Sequence, residues 1–198
     1  MRYLFAIMAA VLSTIAWSRS PPAVRDGDII FQTSRSSQSV AIQRATHSPY
    51  SHMGIVFLRD GKPYVLEASA TVRYTPLGEW IARGKDSKYA LKRLRTPLTA
   101  DQVGRLRDVA RPFEGRPYDL TFEWSDTKIY CSELVWKIYD RALGVQIGSL
   151  QKLREFDLSD AAVRVKMRER YGASVPLDSP VISPASMFNA EALQDVGT

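Results

Sequence analysis

Cysteine is nearly absent from this chain of 198 residues: Cys131 is the only one, and histidine occurs only at His47 and His52. A single cysteine cannot close an intramolecular disulfide, so no covalent staple organises the chain. One Cys and two His cannot assemble a typical zinc set, and neither a metal nor another cofactor is expected. Long apolar runs are missing after the first eighteen residues, so no later stretch is long enough to span a bilayer. Charge of one sign is not concentrated either. Lys and Arg number 27 against 21 Asp and Glu, a net charge of +6, but basic residues such as Arg105, Arg107, Arg111 and Arg116 are scattered. That dispersal argues against a nucleic-acid partner and fits peripheral attraction to an anionic envelope surface. Internal repeats, low-complexity segments and linkers are lacking too.

What is present starts with Met1-Arg2-Tyr3, a short basic opening, and a mostly apolar run from Leu4 through Ala16. Ala16-Trp17-Ser18 then puts small residues at the two positions a signal peptidase reads. Residues 1–18 are therefore expected to be a removed secretory signal, with an uncleaved N-terminal anchor as the alternative. The mature protein is expected to be periplasmic or secreted. Residues 19–198 suit a single domain with a real core; its net charge is +5, since Arg2 is the only charge in the signal. In an oxidising compartment a lone thiol is a chemical liability, which raises the weight of a functional role for it.

Cys131 opens the stretch Tyr130-Cys131-Ser132-Glu133-Leu134-Val135-Trp136. Leu134, Val135, Ile138, Tyr139 and Ala142 follow it at offsets of one helical face, and Gly144 is placed to end the helix in a left-handed cap. The thiol thus sits at a helix N-terminus, where unpaired N–H groups and the positive end of the dipole favour thiolate. The plain alternative is a buried cysteine serving as a small apolar residue, and the choice depends on whether the chain supplies a base.

The remaining pattern mixes helix and strand. Strands are expected at Asp28–Phe31, His52–Leu58, Pro63–Ala68 and Tyr89–Leu94. Helices are expected over Ser36–Thr46, Pro76–Arg83 (with Trp80 and Ile81 inward), Thr99–Phe113, a solvated Asp160–Tyr171 capped by Ser159, and a final turn after Ser183-Pro184. The order implies an α+β fold with an antiparallel core.

Asp60-Gly61 between two apolar runs signals a tight hairpin, because both residues accept positive φ. With a two-residue loop, Arg59 faces Lys62, Gly54 faces Glu67 and His52 faces Ser69. Residues two apart share a face, so His52 and Glu67 become diagonal neighbours. Gly54 would leave room for the Glu67 carboxylate to lie along the strand toward the imidazole. A carboxylate inside Tyr64-Val65-Leu66-Glu67-Ala68 is costly unless hydrogen-bonded. Thiol, imidazole and carboxylate together match the nucleophile, base and orienter of covalent catalysis. His47, beside Ser48-Pro49, reads as a loop residue.

These stretches resemble the papain-like NlpC cysteine hydrolases, specifically their circularly permuted YiiX/YebB-like branch. The likeness rests on Gly27-Asp28-Ile29-Ile30, Ser51-His52-Met53-Gly54-Ile55-Val56, Leu66-Glu67-Ala68, Gly115-Arg116-Pro117-Tyr118-Asp119 and Tyr130-Cys131-Ser132-Glu133-Leu134-Val135, and it runs from about Asp26 to beyond Ser183. Here the histidine strand precedes the cysteine helix, as permutation requires. The resemblance implies a permuted papain-like fold, its antiparallel sheet packed against the cysteine helix. It implies Cys131 as nucleophile, His52 as base and Glu67 as the third polar residue. Tyr118 matches a tyrosine that helps hold substrate or oxyanion in relatives; by physics alone it would be a core aromatic. The Cys131 backbone N–H is the stronger oxyanion candidate. The function implied is a hydrolase cleaving an amide or ester bond through an acyl-cysteine intermediate. Likeness of the permuted branch to lecithin–retinol acyltransferase-like enzymes points to lipid or acyl substrates. A peptidoglycan peptidase and a non-catalytic envelope binding module stand as alternatives.

Overall fold

Asp60 and Gly61 turn the chain with φ angles of 50° and 73°, and this two-residue loop sets the register at the centre of the molecule. The computed structural model describes residues 24–196; the expected signal segment, residues 1–18, lies outside the described residues. In chain order the strands are β1 (Ile29–Gln32), β2 (His52–Arg59), β3 (Lys62–Ala68), β4 (Val72–Pro76), β5 (Tyr89–Leu94), β6 (Gln151–Lys152), β7 (Pro180–Val181) and β8 (Leu193–Asp195). Six of them form one antiparallel sheet in the order β4-β3-β2-β1-β5-β8, and β6 pairs with β7. Arg59 faces Lys62 and Ile55 faces Leu66, the register expected from the Asp-Gly turn.

Alternation along the strands gives the sheet two covered faces. Met53, Ile55, Phe57, Leu66 and Ala68 point to the main core, which also holds Leu134, Val135 and Ile138. Those three belong to α4 (Cys131–Leu143), the helix that carries the cysteine. Each is fully buried, and such burial contributes about 1.5–3 kcal/mol per side chain. Ile30, Val56, Val65 and Leu91 point the other way and form a second cluster with Trp80. Trp80 comes from the short helix α2 (Leu77–Arg83). The remaining helices are α1 (Ser39–Thr46), α3 (Ala100–Ala110), α5 (Ala161–Tyr171) and α6 (Pro184–Phe188). The fold is α+β, with the antiparallel sheet against the cysteine helix.

Local chemistry explains the helix ends. Thr99 and Gln102 form a reciprocal capping box at the start of α3, which satisfies two otherwise orphaned N–H groups. α4 stops at Gly144, whose φ is 67° and whose N–H reaches the Asp140 carbonyl at 2.8 Å. At α5 the expected cap shifts by one residue: Asp160, not Ser159, accepts from the Ala162 N–H at 2.8 Å. Nor is α5 simply solvated, since Val163 is buried and Met167 and Tyr171 pack on the core.

Two of the sequence stretches prove structural. Buried Asp28 is held by the Arg93 guanidinium at 2.6 and 2.8 Å, which ties β1 to β5. Asp119 is also buried and accepts from the Thr121 N–H and hydroxyl at 2.8 Å each. It thereby fixes the turn after Tyr118.

Candidate active site

Glu67 is the most heavily partnered side chain at the site. It is fully buried on β3, where a bare carboxylate would be prohibitive. Four donors converge on it: the Thr75 hydroxyl at 2.6 Å, the Trp80 indole N–H at 3.0 Å, the Arg83 guanidinium, and His52 Nε2 at 2.7 Å. Burial pushes its pKa up, but the His52 bond and charge, with Thr75 and Arg83, outweigh burial and hold it at about 2. The carboxylate therefore stays charged across the physiological range.

His52 opens β2 and its side chain is 12% exposed. Strand alternation places both His52 and Glu67 on the α2 face of the sheet, opposite the face that packs on α4. The Trp80 ring stacks on the imidazole with centroids 5.8 Å apart and 23° between planes. His52 nonetheless feels the Cys131 side chain, which is among the causes that raise its pKa. Its position at the strand start puts the ring at the end of the sheet. With Nε2 engaged by Glu67, Nδ1 is the nitrogen left for the thiol. Burial alone would lower the His52 pKa; the bonds and charges of Cys131 and Glu67 reverse this and raise it to about 9.

Cys131 is the first residue of α4 and is buried. Its neighbours pin this helix end. The Ser132 hydroxyl donates to the Ile182 carbonyl at 2.8 Å, and the Ile182 N–H donates to the Tyr130 hydroxyl at 3.1 Å. Glu133 pairs with Lys137 at 2.7 Å inside the fold. The sulfur is thus set at a fixed helix N-terminus with first-turn N–H groups around it.

Tyr118 reaches the same place by a separate route. Its N–H bonds the Ala70 carbonyl at 3.0 Å, and the Ile129 N–H bonds Pro117 at 3.0 Å. The segment carrying Tyr118 therefore runs beside the residues leading into Cys131. Burial, then the charge of Cys131, pushes the phenol pKa above its ordinary value. Tyr118 stands between two depressions. One is walled by Cys131, Ala41, Ile42, Phe122, Val163 and Met167 and is strongly apolar. The other is mixed in character and is lined by His52, Ser34, Arg35 and Arg83 together with Ala68 and Leu120.

All four residues singled out from the sequence, Cys131, His52, Glu67 and Tyr118, are gathered at one place. His47 is not among them: it is exposed and lies 3.2 Å from Asp157. Sequence reasoning missed Thr75, Trp80 and Arg83 as donors to Glu67, and Gln38, which donates to the Tyr118 hydroxyl at 2.8 Å. Gly54 has a second role beside the one expected of it. A Cβ there would lie 2.5 Å from Val65 Cγ1 and 2.6 Å from the Leu66 carbonyl. The glycine permits close approach of β3.

A permuted order of histidine strand before cysteine helix, on a papain-like sheet-and-helix core, defines a class of thiol hydrolases. The chain belongs to the permuted papain-like amidases of the YaeF/YiiX type, the C92 family, whose model matches residues 23–197. It is 47% identical over 196 residues to YiiX of Escherichia coli strain K12, itself uncharacterized, covering 99% of this chain and 96% of that protein. It also resembles the crystal structure of the metalloprotein YiiX from E. coli O157:H7, with a TM-score of 0.86 and 51% identity, over 88% of this chain and 97% of that one.

Proposed function

We propose that this amidase-family protein cleaves the amide or ester bond of acyl substrates outside the cytoplasm, using Cys131, His52 and Glu67 as a catalytic triad. The observation that carries the reading is the apolar pocket with Cys131 in its wall and the separate cleft with His52 in its wall, Tyr118 lining both. An acyl chain seated in the first puts its carbonyl at the sulfur. The leaving group then lies in the second, next to the imidazole.

In this scheme the His52 ring carries the proton taken from the thiol, consistent with its raised pKa. Sulfur attacks the carbonyl carbon, and the C–N or C–O bond breaks. His52 passes the proton to the departing amine or alkoxide. Water, deprotonated by His52, then releases the acid and restores the thiol. Glu67 keeps the ring oriented and favours its charged form. The Cys131 backbone N–H and the Tyr118 hydroxyl face the developing oxyanion.

The metal described for the E. coli O157:H7 relative calls for a donor set. Among the described residues, no group of three or more His, Cys, Asp or Glu is arranged to hold a metal ion. At the site itself Cys131 and His52 offer one thiol and one imidazole, while both Glu67 oxygens are taken by Thr75, Trp80, Arg83 and His52. These residues do not fit a metal centre.

Incubation with acylated substrates and with purified sacculi, followed by intact mass of the protein, tests the reading. Acylation of Cys131 with fatty-acid release supports it. Release of cell-wall peptides alone would make the protein a peptidoglycan peptidase. Absence of any adduct or product would leave a binding module.

A further inference from the structure

The hydroxyl of Tyr118 is one end of a hydrogen-bonded chain whose direction is fixed by chemistry. Gln38 Nε2 donates to that hydroxyl at 2.8 Å. Gln38 Oε1 in turn accepts from the Arg170 guanidinium. An amide can be placed either way round in principle, but a guanidinium has only donors. The carbonyl of Gln38 must therefore face Arg170, and its NH₂ must face Tyr118. Arg170 is itself held, with its guanidinium carbon 4.7 Å from the Phe122 ring centroid.

A tyrosine hydroxyl has one proton and two lone pairs. Gln38 fills a lone pair, so the proton is left for another acceptor, and Tyr118 lines both the pocket that holds Cys131 and the cleft that holds His52. We infer that Gln38 and Arg170 are positioning residues that turn Tyr118 into a dedicated hydrogen-bond donor for the oxyanion of the acyl-transfer step. Arg170, Gln38 and Tyr118 donate in one direction, so each bond polarises the next and the positive end faces the reacting oxygen. The two residues come from α5 and from the residue before α1, the same elements that wall the apolar pocket. Chain seating and oxyanion donation are thereby coupled. The inference rests on the acyl-cysteine reading above. Tyr118 only hydrogen-bonds; no proton leaves it. The bond formed is S–C and the bond broken is that to the leaving group, which departs with the electron pair.

The test uses the full mature chain and 4-nitrophenyl octanoate, whose attack by Cys131 gives an octanoyl thioester and 4-nitrophenolate. Gln38→Glu is isosteric and still pairs with Arg170, but its carboxylate accepts the Tyr118 proton and turns it away from substrate. Acylation should slow about 10²–10³-fold, as on loss of an oxyanion donor, and Tyr118→Phe should match it. KM should move little, and the double variant should be no slower than Tyr118→Phe. Alkylation of Cys131 by iodoacetamide should persist near the wild-type rate, because displacement at a saturated carbon develops no oxyanion. Arg170→Lys should retain most acylation and Arg170→Met should lose it. If the wild type is acylated and Gln38→Glu keeps pace with it, the positioning role is wrong. A wild type that takes no octanoyl group overturns the acyl-cysteine reading, and this inference with it.

Discussion

Nε2 of His52 lies 2.7 Å from Oε2 of Glu67 on the face of the sheet turned away from α4, yet the Cys131 side chain of that helix is among the causes that raise the pKa of the same imidazole. Base and orienter are thus built into the hairpin and sealed by α2, whereas the nucleophile arrives from the other side. The pair remains set by the sheet register whatever the helix does. This separation allows mutations to distinguish the parts.

Cys131→Ala removes the bond-forming atom and should abolish acyl transfer. His52→Ala should cost about 10²–10⁴-fold, the usual worth of one general acid–base group. Glu67→Gln should sit near the low end of that range for turnover, but it should also destabilise. Its NH₂ must meet one of the donors that now converge on Glu67, leaving buried groups unpaired at about 1–3 kcal/mol. Steady-state rates with 4-nitrophenyl octanoate and urea midpoints would separate the two effects. His47→Ala should match wild type, being exposed and paired only near Asp157.

The pH dependence follows from the two shifted groups. His52 is raised from 6.5 to about 9. Its contribution to stability is full below the unfolded value and is lost as pH rises through about 9. Glu67 is lowered from 4.5 to about 2; its contribution holds above the unfolded value and disappears as pH falls through about 2. Activity should decline on the alkaline side as the imidazolium is lost. With only two histidines in the chain, ring titration by NMR is direct. Cys131→Ala should bring the His52 value down, since the side chain it removes is one cause of the rise. An unchanged titration in that variant would rule out the thiol–imidazole contact.

Much of this site was legible in sequence because one turn carried long-range information. Asp60-Gly61 set the register, and the register made His52 and Glu67 neighbours. The donors that stabilise Glu67 were not legible. Val72–Pro76 has two exposed positions and a proline, so its pairing with β3 leaves a weak alternating signal, and Thr75 went unseen. Trp80 and Arg83 were assigned to the right helix, but only tertiary packing places that helix under Glu67. Strands β6, β7 and β8, of two, two and three residues, are too short to leave a period. Gln38 and Tyr118 are 80 residues apart, and no local pattern joins them.

Gly54→Ala tests the close approach of β2 and β3. The added methyl meets the Leu66 carbonyl and Val65 Cγ1 at 2.6 and 2.5 Å, and the backbone partner cannot swing aside. A loss of about 1–3 kcal/mol is expected, as for other overpacked sites, read from the denaturant midpoint. Because His52 is two residues away on the same face, acyl transfer should fall as well.

Export is checked by N-terminal sequencing of envelope-purified protein. The basic start, apolar run and small-residue ending predict a mature chain beginning near Arg19. Material that still carries Met1 would convert the signal into an anchor, while leaving the chemistry at Cys131 untouched.

The last prediction concerns chain length. If the apolar pocket seats an acyl chain, each buried methylene should add about 0.8 kcal/mol of binding, close to fourfold per carbon in kcat/KM until the pocket is full. A series of 4-nitrophenyl esters from acetate to decanoate should therefore climb and then level off. Ala45 lines this pocket and is only partly buried, so a larger side chain there can be accommodated without opening the core. Ala45→Phe should move the levelling point to shorter chains and leave acetate turnover unchanged, since the acetyl group does not reach the filled volume. The pocket is the cause only if the change is confined to long chains. A uniform loss across the series would point to disturbed packing of α1, and a flat series in the wild type would mean that the acyl chain lies elsewhere.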